Sequence, residues 1–492
     1  MAPPTPHRSA LSIFHDRLAI FLAFLVPLSA VPLASNRAAW WLLWSALFAA
    51  LSALYLRRFF IIEPEGRLRF INFKWSFCML LLVPLWGLLQ SLPLGTWFPE
   101  ELLALPNGLD PKILAAVSIQ PYVAMSAVIR FAGYVFLAAL VLEVARRPER
   151  VMLVGKIVFF GIVLQAAYAL FALKVLGDFS PWGPKEQYAG SATGTFVNRN
   201  SLATFLGFGM ILGIGLLAEQ ITNRRIRETR KADVLGRFCP LTIAVIIGEM
   251  FLFIALLATQ SRLGLAASMC GVLTSLMVWR WIATRSLRLL IRDTVLSATF
   301  SSLLATSLSI SEGVATRFLF TAGDGEDRLE IYRQAIGMIE LRPITGFGLD
   351  TFSAAFEMFR GPPLDNPVHY DLAHNTYLAL WAEAGIIVGS FPPMVLLLAL
   401  VVLARRLTEM DGFFGFALAG IGSIVTAGVH SLGDFSLEIP ANVYVFTTIV
   451  CLGLGYRSKK TVRGSTGNDL PLRQTRSFHL VNVILSKHRT DK

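Results

Sequence analysis

Apolar runs long enough to cross about 30 Å of hydrocarbon recur along nearly the whole chain. They lie near residues 18–34, 38–56, 75–93, 125–145, 151–176, 200–218, 238–260, 263–283, 293–311, 383–404, 412–432 and 441–456. Between the ninth and the tenth, from about Ser311 to His374, comes one long polar interval. A structureless loop of that length is uncommon in a compact protein. Here Leu329, Ile331, Tyr332, Ala335, Ile336, Ile339 and Leu341 recur at helical spacing, and the run closes on Pro343 and a Gly346-Phe347-Gly348 turn. The pattern predicts an all-α fold: a polytopic membrane helical bundle of about twelve transmembrane helices, with a large helical loop between spans 9 and 10. The expected division is 1–310 for spans 1–9, 311–382 for the loop, 383–456 for spans 10–12 and 457–492 for a basic tail.

Composition agrees with that pattern. Of 492 residues 55% are hydrophobic and 15% charged, and the mean hydropathy is +0.61, outside the soluble globular range. The formal net charge of +12 in a soluble protein would suggest nucleic acid, but the basic residues sort by loop. Arg57, Arg58, Arg67, Arg69 and Lys74, then Arg146, Arg147 and Arg150, then Arg224 to Arg237, Arg280 to Arg292, Arg405 and Arg406, and the tail all fall on one side of the spans. That side is expected to be cytoplasmic, with both termini on it. Residues 18–34, preceded by Arg8 and Arg17 and followed by Ala34-Ser35, have the shape of a signal peptide, yet an uncleaved first span suits a chain of so many spans better. Cys78, Cys239, Cys270 and Cys451 have no CxxC spacing, so neither a disulfide framework nor a zinc site is indicated.

The opposite loops are near neutral or acidic, so the few basic groups on that face need another reason to be there. Arg262 follows a tight turn between two apolar runs, where an ionisable group is costly unless it is paired or wet. It is either a snorkelling span-end residue or an anion clamp, since a planar fork of donors suits diphosphate oxygens. Arg328 follows Asp324, Glu326 and Asp327, acids expected to open a helix; taken alone they also resemble an oxygen-rich Mg²⁺ or Ca²⁺ site. His374 stands where the long interval meets the next apolar run, near Asp371, and an imidazole titrating near neutrality suits removal of a hydroxyl proton. Asn198, Arg199 and Asn200 begin an apolar helix and are placed either to cap it or to meet a polar head group. His430 and Asp434 stand at i and i+4, with the helix expected to end near Gly433.

These segments, in this order, resemble the O-antigen ligase and Wzy polymerase superfamily of bacterial envelope glycan transferases. The resemblance rests on Gly194-Thr195-Phe196-Val197-Asn198-Arg199-Asn200, on Thr259-Gln260-Ser261-Arg262 with Gly264, and on Arg328 with Tyr332, Ala335 and the Pro343 to Gly348 turn. It ends in His374-Asn375-Thr376-Tyr377 with Glu383 and Gly385. The ligases' signature places a Gly past a nine-residue spacer from the His-Asn pair, which Gly385 meets; it then wants Gly, Thr or Tyr where this chain has Val388, with Gly389 one place late.

The resemblance implies an inner-membrane enzyme, metal-independent and without cofactor, acting at the periplasmic face. It would move a glycan from undecaprenyl diphosphate to an acceptor glycan or lipid A-core, as a ligase, a polymerase or a protein O-oligosaccharyltransferase. Membrane lipids are its other partners and nucleic acid is not one. His374, Arg262 and Arg328 are the expected catalytic residues, and Asn198, Arg199, Asn200, Asn375, His430 and Asp434 the expected substrate-binding ones. The competing reading is a polysaccharide transporter. Transporters concentrate ionisable groups at mid-membrane depth; here Arg130, Lys174 and the Pro392-Pro393 break are the features of that kind.

Overall fold

The computed structural model describes residues 10–455, apart from 186, 228–238, 285, 287, 290, 291, 294, 295, 297–313, 365–369 and 410–413, and the backbone alone at 107, 222–227, 283, 314–327 and 409. Almost all of the predicted ninth span, the tail at 457–492 and His369 lie outside the described residues, as do the side chains of Asp324, Glu326 and Asp327.

The described residues form helices joined by turns and short 3-10 segments, with no strand among them. The helices are α1 (Ala10–Leu28), α2 (Ala38–Ile62), α3 (Lys74–Ser91), α4 (Pro121–Val144), α5 (Pro148–Lys174), α6 (Arg199–Arg227), α7 (Pro240–Ala258) and α8 (Arg262–Thr284). Then follow α9 (Val314–Leu341), α10 (Phe352–Phe359), α11 (Thr376–Gly389), α12 (Phe391–Glu409), α13 (Phe414–His430) and α14 (Pro440–Gly455). Among the described residues nine helical stretches, those of α1 to α8 and α12, are long and apolar enough to cross a membrane, and α11, α13 and α14 are shorter apolar helices. Pro392 and Pro393 sit in the first turn of α12, where a missing N–H leaves no helical hydrogen bond unmade. The sequence break at that point is thus a helix start.

Helix α6 is the axis of the bundle, since 94% of its apolar window is buried within the protein. Small residues let its neighbours come close: a Cβ on Gly215 would stand 2.5 Å from the Gly415 carbonyl oxygen of α13. Between helices in lipid, where hydrophobic driving force is weak, such backbone approach supplies the packing contacts.

The long polar interval folds over one end of this bundle with a core of its own. Ile331, Ala335, Met338 and Ile339 of α9 pack with Phe347, Phe352 and Phe356, and with Ala379 and Ala382 of α11. Leu329 and Ile336, which share the helical spacing, are instead 69% and 45% exposed, so the buried stripe is narrower than the apolar pattern. Helix α9 also begins earlier than the acids indicate, at Val314. Arg328 therefore lies within the helix and does not open it.

Arg342 locks this cap to the loop between α3 and α4. It is fully buried, donates to the carbonyl oxygens of Leu103 (2.5 Å), Ala104 (2.8 Å) and Val117 (3.0 Å), and lies over the Phe347 ring at 4.6 Å. Burial pulls its guanidinium down to about 10, still cationic at neutral pH. Arg342→Ala would orphan three carbonyls and leave a cavity, so it should cost on the order of 3 kcal/mol. A fall in the unfolding midpoint of the purified protein checks this; an unchanged midpoint would contradict the role.

Candidate active site

The loop joining α13 to α14 is the point on which the predicted site residues converge. Helix α13 ends at His430, so Asp434 falls beyond it in the loop and the two do not share a helical face. From α9, the Arg328 Nη1 donates to the Gly433 carbonyl oxygen at 3.3 Å. One turn further on, the Tyr332 hydroxyl donates to the His374 carbonyl oxygen at 2.9 Å. From α8, Leu263 packs so closely that a Cβ on Gly433 would come within 2.9 Å of its Cδ2, which brings the first turn of α8, with Arg262, against the same loop.

His374 adopts a left-handed backbone conformation, φ 51°, uncommon for a residue with a side chain and found preferentially where function or packing requires it. Its ring meets Phe435 edge-on at 5.1 Å between centroids. The next residue, Asn375, caps α11 by accepting from the Tyr377 and Leu378 amides, and its Nδ2 donates to the Leu432 carbonyl oxygen at 3.1 Å. The Thr376 amide then donates to Ser431 O at 3.1 Å. Three successive residues are therefore tied to the α13–α14 loop or placed against it, which fixes where the imidazole stands.

Behind this surface lies a buried polar network. Asn200 Nδ2 donates to Asp434 at 3.0 Å, and the Ser261 hydroxyl donates to Asn200 Oδ1 at 2.7 Å, so the residue before Arg262 is tied to α6. Asp434 also accepts from the Ser436 hydroxyl, and His430 Nδ1 pairs with the Thr204 hydroxyl at 2.6 Å. Asp434 and His430 are 0% and 1% exposed, which suits orienting their neighbours better than touching a substrate. Asn198 Oδ1 accepts from the Asn200 amide at 2.7 Å as the start of α6. Arg199 points the other way, with one Nη 3.3 Å from the Ser191 hydroxyl and its guanidinium over the Tyr188 ring at 5.3 Å.

What the network leaves over is cationic. Arg262 is half-buried and has no ion-pair partner among the described residues, and Arg328 meets a carbonyl but no carboxylate there. Partly buried guanidinium groups without carboxylates are poised for an anion supplied from outside. Along the chain, this end of the bundle is the one opposite the basic loops.

Two glycines explain the spacing downstream of His374. A Cβ on Gly346 would stand 2.3 Å from the Glu383 carbonyl oxygen, and one on Gly385, at φ +76°, 2.1 Å from Ile344 O. The Phe347 and Gly348 amides donate to Ala382 O and Glu383 O, both at 2.9 Å. The turn after Arg342 thus docks edge to edge on α11 where that helix kinks at Gly385, which requires glycine on both sides.

Residues 247–392 match the family model described as O-Antigen ligase, the Wzy_C domain. The match holds Arg262, Arg328 and His374, while Asn198 to Asn200, His430 and Asp434 lie outside it. Comparison with curated proteins gives no match. The match over residues 247–392 supports a place in the O-antigen ligase and Wzy polymerase superfamily, and with it a membrane function of the glycan-transferring kind.

Proposed function

We propose that this protein is an O-antigen ligase-like glycosyltransferase that moves a glycan from undecaprenyl diphosphate to a sugar hydroxyl at the periplasmic face of the inner membrane. The observation that carries this is that two guanidinium groups, Arg262 and Arg328, which pair with no carboxylate among the described residues, are brought to the same loop as His374. The imidazole of His374 takes the proton of the acceptor hydroxyl, and that oxygen attacks the anomeric carbon. The bond from that carbon to the diphosphate oxygen breaks, and its electron pair leaves with the diphosphate. Arg262 and Arg328 stabilise the departing charge, which is greatest in the transition state. Asn200, Asp434 and His430 act as positioning residues, holding the turn at Ser261 and the α13–α14 loop.

The lipid diphosphate is already an activated leaving group, so neither nucleotide nor metal takes part in this scheme. Transfer by the reconstituted protein should therefore proceed in EDTA; loss of activity restored by Mg²⁺ would return the acids at Asp324 to consideration. A Wzy-type polymerase is the second reading, favoured by Val388 standing where the ligase signature wants Gly, Thr or Tyr. Deleting the gene and examining the envelope separates the two. Long chains accumulating on the carrier lipid would mark a ligase, and lipid A-core capped with single repeats a polymerase. A normal envelope glycan would overturn both.

A further inference from the structure

Beside the α11 N-terminus, and lined by neither Arg262 nor Arg328, lies a cavity of about 270 Å³. Its walls come from α3, α4, α12 and α14, and they are apolar along most of their length, with Leu80, Phe131, Leu396 and Phe446 among them. One end differs. There Arg130 of α4 pairs with Asp350 at 2.8 Å, and the carboxyl groups of Glu383 and Glu438 also line the space. Glu438 Oε1 and Arg130 Nε are buried without hydrogen-bonding partners, an arrangement costly to maintain unless something else satisfies them.

The charge at this end selects among occupants. One guanidinium faces three carboxyl groups and is already paired to one of them, so the end offers no unpaired positive charge. A phosphate or diphosphate head would meet carboxylates there, at a cost no single arginine already paired to Asp350 offsets. Hydroxyl groups, which donate and accept, pair with carboxyl groups in either protonation state. Among the described residues no three acidic, His or Cys side chains are grouped to hold a metal ion. The volume suits one hydrocarbon chain better than a bulky head.

We propose that this cavity is a second lipid site, taking a hydrocarbon chain of an uncharged lipid whose hydroxyl-bearing head meets Arg130, Asp350, Glu383 and Glu438. The site is chemically opposite to the arginine-bearing face, and it does not depend on the transfer reaction proposed above. Its occupant lies against Thr376 and Tyr377, in the first turn of the helix that His374 precedes.

The test uses the full-length protein in nanodiscs with two photoreactive probes of identical chains, a diacylglycerol and a phosphatidic acid, with labelled peptides mapped by mass spectrometry. Diacylglycerol should label peptides of α3, α12 or α14 at least about five-fold more than phosphatidic acid. Excess unlabelled diacylglycerol should compete, and undecaprenyl diphosphate should not. Ala399→Phe, which fills the cavity wall, should lower this labelling about five-fold. Equal labelling by both probes, competition by undecaprenyl diphosphate, or labelling confined to outward residues of α7 such as Ile247 and Met250 would overturn the proposal. The wild-type competition decides the matter even if Ala399→Phe does not fold, and none of these readouts requires glycan transfer.

Discussion

His374→Ala should lower the rate of glycan transfer by about 10²–10⁴-fold, the usual contribution of a positioned general base, while the protein remains inserted and abundant. Retained abundance is expected because the backbone at residue 374 is held without the imidazole, whose ring meets Phe435 edge-on. Tyr332 reaches residue 374 through the backbone carbonyl, which alanine keeps. Asn375, the helix cap, is also untouched. Removing the proton acceptor leaves the diphosphate grip intact, so carrier affinity should change little while the rate at saturating carrier falls. Time courses of transfer with the reconstituted protein, paired with quantitative immunoblots of the membrane fraction, measure both halves. A variant transferring at the wild-type rate would remove His374 from the chemistry.

Arg262→Ala should be nearly as severe, by about 10²–10³-fold, the scale of losing one preorganised donor to a developing anion. The change should appear in carrier binding as well as in rate, because the guanidinium meets the diphosphate before and after the bond breaks. Arg262→Lys is the sharper variant. Lysine keeps the charge but not the planar fork, so a site that grips two oxygens through parallel N–H bonds should recover only a small part of the lost activity. Full rescue by lysine would reduce Arg262 to a point charge. The turn that carries it should survive either change, since Ser261, Asn200 and Asp434 hold one another without its side chain.

Much of the scaffold was legible because the membrane imposes a strong pattern: unbroken apolar runs and basic loops on alternate connections. The helical character of the polar interval was legible too, from Ile331, Ala335 and Ile339. The same periodicity did not say which of its positions are buried: Leu329 and Ile336 share it and are exposed, because apolar spacing records what a helix can bury and not what packs against it. The start of α9 was hidden for a related reason. Acids mark helix starts as a tendency of isolated helices, and a longer helix carries Asp324 to Asp327 inside it.

In the candidate site, Arg262, Arg328 and His374 stood out as polar groups in expensive places. What tied them together did not. The α13–α14 loop serves as the common anchor through the backbone carbonyls of Ser431, Leu432 and Gly433, and carbonyls leave no residue-type signal. The Arg130–Asp350 pair spans 220 positions, so from sequence Arg130 could be read only as an isolated charge within a span. Arg342, equally conspicuous as a cation, is consumed by structure, bonded to three carbonyls of the α3–α4 loop.

The most direct test follows one turnover. Purified protein in nanodiscs is loaded with a synthetic glycan on undecaprenyl diphosphate, its carrier affinity is measured, and a glycan acceptor is then mixed in with rapid quenching. His374→Ala should bind the carrier as the wild type does and form no product on the wild-type timescale, whereas Arg262→Ala should bind it weakly. Wild-type product formation by both variants would contradict the arginine-and-histidine site at the α13–α14 loop.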